Sequence, residues 1–330
     1  MKTVVVYHSI DLDGQMSAAI VKHWFVLERN DGKPYTFDSK TLGDTDKGVE
    51  VLDFIGYNYG QPIPDLSDYD KVIMCDISFP REFMIEMLEK WSMNITYIDH
   101  HISAMEELSG VQIKSYCDVK FAACELTWKY FFPNETMPEI IRLLGMYDSF
   151  RHKGTEEEQK VLEFQYGARQ AISSYEEAYK CLYYNISESA GIHLNYSLVN
   201  IQRSGKYIYQ YLCTEAKQVY KNGFVVVFDE EHWFDSETFL GKMTDGYRER
   251  KFICINKERF NPINFGIDYH KDGYDGAACF HYDGIAKLYR FSLYNDNGLI
   301  DCSVIAKQFG GGGHKGAAGF VVDDLTVILK

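Results

Sequence analysis

Three short stretches of this 330-residue sequence close an apolar run with acids and imidazoles. His8, Asp11 and Asp13 follow Thr3–Tyr7, Asp76 follows Lys71–Cys75, and Asp99, His100 and His101 close the run that starts at Asn94. A single strand-end Asp is most often a turn or helix-cap residue, and Asp70 and Asp118 read that way. His23, on a helix face, reads as packing or surface. The joint occurrence is harder to dismiss, because adjacent imidazoles such as His100 and His101 are costly to desolvate without partners. Two carboxylates about 5 Å apart repel by roughly 3 kcal/mol at an effective dielectric of about 20. Such a cluster either takes up protons or captures a metal. Oxygen and imidazole ligands without thiolate suit Mn2+ or Mg2+, and the imidazoles tilt the choice towards Mn2+. Asp148, in LGMYDSF, is a further candidate ligand.

The elements that must position these residues read as alternating strands and helices. Strands over 3–7, 71–75 and 94–98 alternate with helices over 15–28, 80–91, 122–132 and 139–147. This alternation predicts a mainly parallel sheet with helices on both faces, whose ligands gather outside the carboxyl ends of the strands. The expected organisation is a catalytic domain over 1–155, a largely helical connector over 156–222 and a smaller C-terminal α/β domain over 223–330. In the last, FVVVF, FICIN, KLYRFSLYN and FVVD read as strands and SVIAKQF as a short helix.

Composition narrows the partners. The net charge is −14, and residues 1–150 carry 13 Lys and Arg against 24 Asp and Glu. An acidic chain does not attract a long polyanion by a broad field, so no long duplex is expected and cations must offset repulsion from any phosphate ester. The eight cysteines form no CxxC pair and sit in mostly hydrophobic segments, which points to a reduced cytoplasm. No apolar run reaches the ~18 residues of a membrane span. Asp11–Leu12–Asp13–Gly14 is not a calcium loop: its glycine comes two positions early and Lys22 stands where the closing Glu belongs. The Asp-x-Asp motif also differs from that of haloacid-dehalogenase-type phosphatases, since His8–Ser9–Ile10 separate it from the strand.

The four glycines before His314 lie between a helix and a strand, where a linker would be out of place. Gly311, Gly312 and Gly313 allow backbone N–H groups to approach an anion, and His314 adds a donor. Together, HSIDLDG, VIMCDISF, YIDHH and LGMYDSF resemble the successive motifs of the DHH phosphoesterase family, and GGGGHKGAAGF resembles its associated C-terminal domain. The resemblance covers residues 4–150 and 220–322.

That resemblance implies two divalent cations, with Mn2+ preferred and Mg2+ or Co2+ allowed, and an active site in a cleft between the domains. One ion would be held by His8, Asp11 and Asp76, the other by Asp13, Asp76, His100 and Asp148, with Asp76 the bridge. A hydroxide between them would attack phosphorus in line. His101 would contact the scissile phosphate or assist the leaving group, while Asp99 orients the imidazoles. The expected substrate is a short single-stranded oligonucleotide or dinucleotide, cleaved to mononucleotides as by nanoRNases. The alternative is a signalling nucleotide: a cyclic dinucleotide, its linear product or a 3′,5′-bisphosphorylated nucleoside. A nucleotide-binding protein without catalysis is the minor reading, and a homodimer is allowed. Many nanoRNases carry Ser-x-Arg-Ser where this chain has Ser292–Leu293–Tyr294–Asn295. Arg290 or Tyr294 could stand in for the missing arginine, and Tyr294 could instead stack on a base.

Overall fold

Strands β1 (Lys2–His8), β2 (Val51–Tyr57), β3 (Lys71–Cys75), β4 (Asn94–Asp99) and β5 (Lys114–Cys117) form a wholly parallel sheet in the order β2-β1-β3-β4-β5. The computed structural model describes residues 2–29, 51–89, 92, 94–186, 194–230 and 248–328. Successive side chains of β1 pack to opposite sides. Val5 and Tyr7 meet Ala18 and Val21 of α1 (Leu12–Arg29). Val4 and Val6 face Met84 and Met87 of α2 (Arg81–Glu89). Both faces are therefore buried, which is why the central strands are unbroken apolar runs. The helix expected over 80–91 ends at Glu89, and Lys90 and Trp91 lie outside the described residues.

After α3 (Ile102–Glu107), the α1 side continues with α4 (Ala123–Phe131), α5 (Glu139–Asp148), α6 (Glu158–Ala171) and α7 (Tyr175–Ile186). Met16, Trp128, Leu144, Phe164 and Leu182 meet there in one apolar cluster. The chain divides into two compact units, Met1–Tyr209 and Gln210–Lys330. Both α6 and α7 thus fall in the first unit, and α8 (Leu198–Tyr220) runs from the first into the second. Among the described residues no helix is long and apolar enough to cross a membrane.

The second unit holds β6 (Phe224–Glu230), β7 (Arg248–Asn256), β8 (Gly276–Asp283), β9 (Leu288–Tyr294), β10 (Gly312–His314) and β11 (Ala317–Val322), in the order β10-β11-β9-β8-β7-β6. Among the described residues of this unit, only β7 and β8 pair in parallel. One face packs Phe252, Ala278, Phe291 and Phe320 under Ile305 and Ala306 of α9 (Cys302–Gln308). The other packs Ile253, Ala277 and Cys279 against Ala216 of α8.

Candidate metal centre

Parallel register brings the three motifs level. Tyr7 pairs with Cys75 and Cys75 with Ile98, so the next residues, His8, Asp76 and Asp99, leave the sheet side by side at its carboxyl edge. At Asp76 the chain turns through φ +63°, a left-handed conformation that Asp and Asn adopt more readily than most side chains. Its N–H still donates to Ile98 O at 3.0 Å, which anchors the turn. The Asp76 carboxylate is left 1% exposed, and neither oxygen accepts a hydrogen bond.

Two groups of side chains flank it. His8 Nδ1 lies 2.8 Å from Asp11 Oδ2 and 3.5 Å from Asp76 Oδ2. His100 Nε2 lies 3.4 Å from Asp76 Oδ1, 3.3 Å from Asp148 Oδ2 and 3.7 Å from Asp13 Oδ2. The ligand atoms of His8, Asp11 and Asp76 fall within 4.8 Å of one another, and so do those of Asp13, His100 and Asp148. Gly14 permits this closeness, because a Cβ there would stand 2.0 Å from the carbonyl oxygen of His8. Asp13 is held from a distance: the N–H groups of Ala123 and Cys124, at the start of α4, each donate to one of its oxygens at 2.8 Å. A helix N-terminus favours such an anion.

Asp99 is different in kind. Its Oδ1 accepts from the N–H of His100 at 2.7 Å and from Nδ1–H of His101 at 2.8 Å, and Oδ2 accepts from the Tyr97 hydroxyl at 2.5 Å. These contacts engage Nδ1 of His101 and not its Nε2.

The electrostatics show what the cluster lacks. Burial alone would lower His8, yet the carboxylates of Asp11 and Asp76 carry it up to about 10. Burial likewise opposes the charged form of His100, but Asp76, Asp13 and Asp148 raise it to about 10. Asp148 is pushed up to about 7 by burial and then by the charge of Asp76. Asp13 lies well above the carboxylate range for the same causes, burial first. Without a cation this edge must hold protons. Two carboxylate–imidazole groups sharing an orphaned carboxylate fit divalent cations instead, in a donor set without sulfur.

The residues expected to bind substrate form a separate group in the second unit. Register places Ser292, Gly319 and Gly312 in one cross-strand row and Tyr294, Ala317 and His314 in the next. Arg290, Ser292 and Tyr294 share a face of β9 by alternation. Arg290 is engaged with Asp283 at 2.8 Å, and Tyr294 is half-buried beside Tyr269 and Cys279. The glycine run is ordered into structure. Gly310 and Gly311 donate to Lys307 O and Ala306 O to end α9, and a Cβ on Gly313, at φ +142°, would stand 2.6 Å from Ala318 Cα. Sequence reasoning missed the α4 amides on Asp13 and the Tyr97 hydroxyl on Asp99. A backbone donor has no residue signature, although Tyr97, two positions before Asp99 on the same side of β4, could have been found from strand periodicity.

Several proteins are similar to this chain. The model of the "DHH family, N-terminal domain" matches residues 2–146. The uncharacterized protein R106 of Acanthamoeba polyphaga mimivirus is 24% identical over 340 residues, spanning 99% of this chain and 69% of that protein. The crystal structure of the exonuclease RecJ bound to manganese superposes with a TM-score of 0.51 at 12% identity, covering 99% of this chain and 86% of that one. A pGpG-specific phosphodiesterase, PggH from Vibrio cholerae, gives a TM-score of 0.45 at 11% identity, with 98% and 93% covered. The RecJ likeness extends to the whole fold, a parallel sheet flanked by helices followed by a second sheet unit. The match to the DHH family's N-terminal domain thus spans the whole parallel sheet and the helices up to α5, the elements that carry the acid and imidazole cluster.

Proposed function

We propose that this protein is a Mn2+-dependent phosphodiesterase that hydrolyses short oligonucleotides, dinucleotides included, to mononucleotides. The observation that carries the reading is Asp76: a buried carboxylate, without hydrogen bonds, between the His8–Asp11 and Asp13–His100–Asp148 groups. Those six residues would hold two divalent cations. Bound there, the cations would neutralise the phosphoryl oxygens and lower the pKa of water to near neutrality.

The chain's own residues do the rest. Asp99 fixes the His101 ring through Nδ1, so Nε2 is the atom that can donate to a phosphate oxygen or protonate the leaving alkoxide. Asp99 stays ionised in this role. Burial would raise its pKa, but the His101 contact, the Tyr97 hydroxyl and the backbone amides of His100 and His101 hold it below the usual carboxylate value. The acidic surface supports a short substrate, since a long polyanion would meet repulsion along its length. In the second unit, the Ser292–Gly319–Gly312 row and the exposed His314 are where a terminal phosphate or base would bind. The cytoplasm is the proposed compartment.

The test is turnover of labelled dinucleotides against 20-mers by purified protein with Mn2+. Faster cleavage of dinucleotides is expected, and preferential turnover of the 20-mer overturns the short-substrate reading. A cyclic dinucleotide and a 3′,5′-bisphosphorylated nucleoside belong in the same panel. Preference for either would assign the chain to signalling-nucleotide turnover instead.

A further inference from the structure

Glu125 is a buried carboxylate in the first turn of α4, 2% exposed, and it takes no part in the cation cluster. Its Oε2 accepts from the N–H of Ala122 at 3.1 Å and forms an ion pair with Arg151. The pair joins two elements that each carry part of one candidate cation group. Glu125 stands at the end of α4 whose Ala123 and Cys124 amides grip Asp13. Arg151 stands three residues after Asp148, on the turn that closes α5.

That turn is strained. Phe150 takes φ +57°, a conformation uncommon for any non-glycine residue and costly for a bulky one. Its ring is 62% exposed, with the Lys153 ammonium 5.0 Å from its centroid. What the turn achieves is to fold the chain back so that Arg151 reaches Glu125. Two further contacts fasten it: Arg151 Nε donates to Ser149 Oγ at 2.8 Å, and Ser149 Oγ–H donates to Gly145 O at 2.6 Å. Gly145 brings α5 itself against the acid, for a Cβ there would lie 2.3 Å from the Glu125 carboxyl carbon.

We infer that Glu125 and Arg151 are positioning residues, a clamp that sets the separation of Asp13 and Asp148 and so tunes one of the two cation sites. The inference rests on the two-cation reading. His8 ends β1 and Asp11 lies in the loop before α1, whereas Asp13, in the first turn of α1, is the one the α4 amides hold. Weakening the clamp therefore acts on the Asp13–His100–Asp148 group and spares the other.

The experiment is a Mn2+ titration followed by electron paramagnetic resonance on the purified full chain, with thermal melting alongside. Wild type should take up two equivalents and show a spin-coupled pair. Glu125→Gln and Arg151→Ala should keep the first equivalent, weaken the second about tenfold or more, and lose the coupled signal, as loss of an outer-shell partner typically costs ~10–100-fold in metal affinity. Arg151→Lys should restore part of it. Two undiminished equivalents in both variants overturn the inference. So does parallel loss of both equivalents in both variants with a large fall in Tm, which marks a merely structural pair. An Arg151→Ala change confined to KM also overturns it, since Arg151 would then contact substrate. A wild type that binds one ion or none fails the two-cation reading and the inference together; two ions in wild type with unaltered variants fail the inference alone.

Discussion

The carboxyl edge of the first sheet and the β9–β11–β10 part of the second are built on opposite terms. At the first, Asp76 is buried with neither oxygen hydrogen-bonded, its backbone is left-handed, and the neighbouring imidazoles and acids are driven far from their ordinary protonation. At the second, Arg290 has its Asp283, and glycines and alanines let strands approach closely. An edge that must otherwise hold protons calls for a cation, whereas a satisfied face of small residues offers shape and backbone donors. Substitutions in the first should therefore alter kcat and metal content, and substitutions in the second should alter KM.

Asp76→Asn is the sharpest way to break the comparison. Asn tolerates the left-handed backbone, so the substitution removes charge without adding the strain that Ala would bring. Loss of the shared ligand should cut kcat by on the order of 1000-fold or more, about 4 kcal/mol in the barrier. Metal content by mass spectrometry should fall with it. An Asp76→Asn protein with wild-type turnover would place the chemistry elsewhere. His101→Gln comes next. General acid assistance contributes roughly 100-fold or more, so kcat should fall by about that factor while both cations still bind, because His101 is held by Asp99 and is not needed as a ligand.

Protonation gives a third test of the same edge. The folded chain without cations holds protons on His8 and His100 up to about pH 10 and on Asp148 up to about 7. Unfolded, these groups titrate at about 6.5 and about 3.9. The folded state thus binds more protons than the unfolded state, so stability falls as pH rises. The contribution of the two imidazoles is fully present below ~6.5 and is lost as pH approaches about 10. Chelator-treated protein should melt at a lower temperature at pH 9 than at pH 6.5, and saturating Mn2+ should remove much of that difference by replacing the protons. Calorimetry in buffers of different ionisation enthalpy should show proton release on Mn2+ binding at neutral pH. No release would mean that the imidazoles are already neutral.

The contrast also explains what could be read from the sequence. Central strands β1, β3 and β4 are buried on both faces and appear as apolar runs, so their charged ends stood out; parallel register brings those ends level, and Asp11, Asp13 and Asp148 join them from the loop after β1, from α1 and from α5. Edge strands carry a weaker signal. Val51–Tyr57 is mostly half-buried, Lys114–Cys117 is four mostly exposed residues, and neither was legible as a strand. Gly276–Asp283 escaped as well, since Gly and Ala are poor strand formers that only tertiary packing makes acceptable. The grip of α4 on Asp13 joins residues 110 and 111 positions apart through backbone amides, and the Glu125–Arg151 pair spans 26. Such links depend on the fold being known.

The mildest test concerns Tyr294, on the satisfied face. It stands where an arginine is expected, and its ring is half-buried in the β9 row that reaches His314 through Ala317. A stacking role needs the ring and not the hydroxyl. Base–aromatic stacking is worth ~1–3 kcal/mol by alanine substitution, so Tyr294→Ala should raise KM for a dinucleotide about tenfold with little change in kcat. Tyr294→Phe should stay within about twofold of wild type, since the π-face that stacks is retained. A large KM rise in the Phe variant would instead assign the hydroxyl to a phosphate or ribose. A change in kcat or metal content in either variant would erase the division of labour between the two regions.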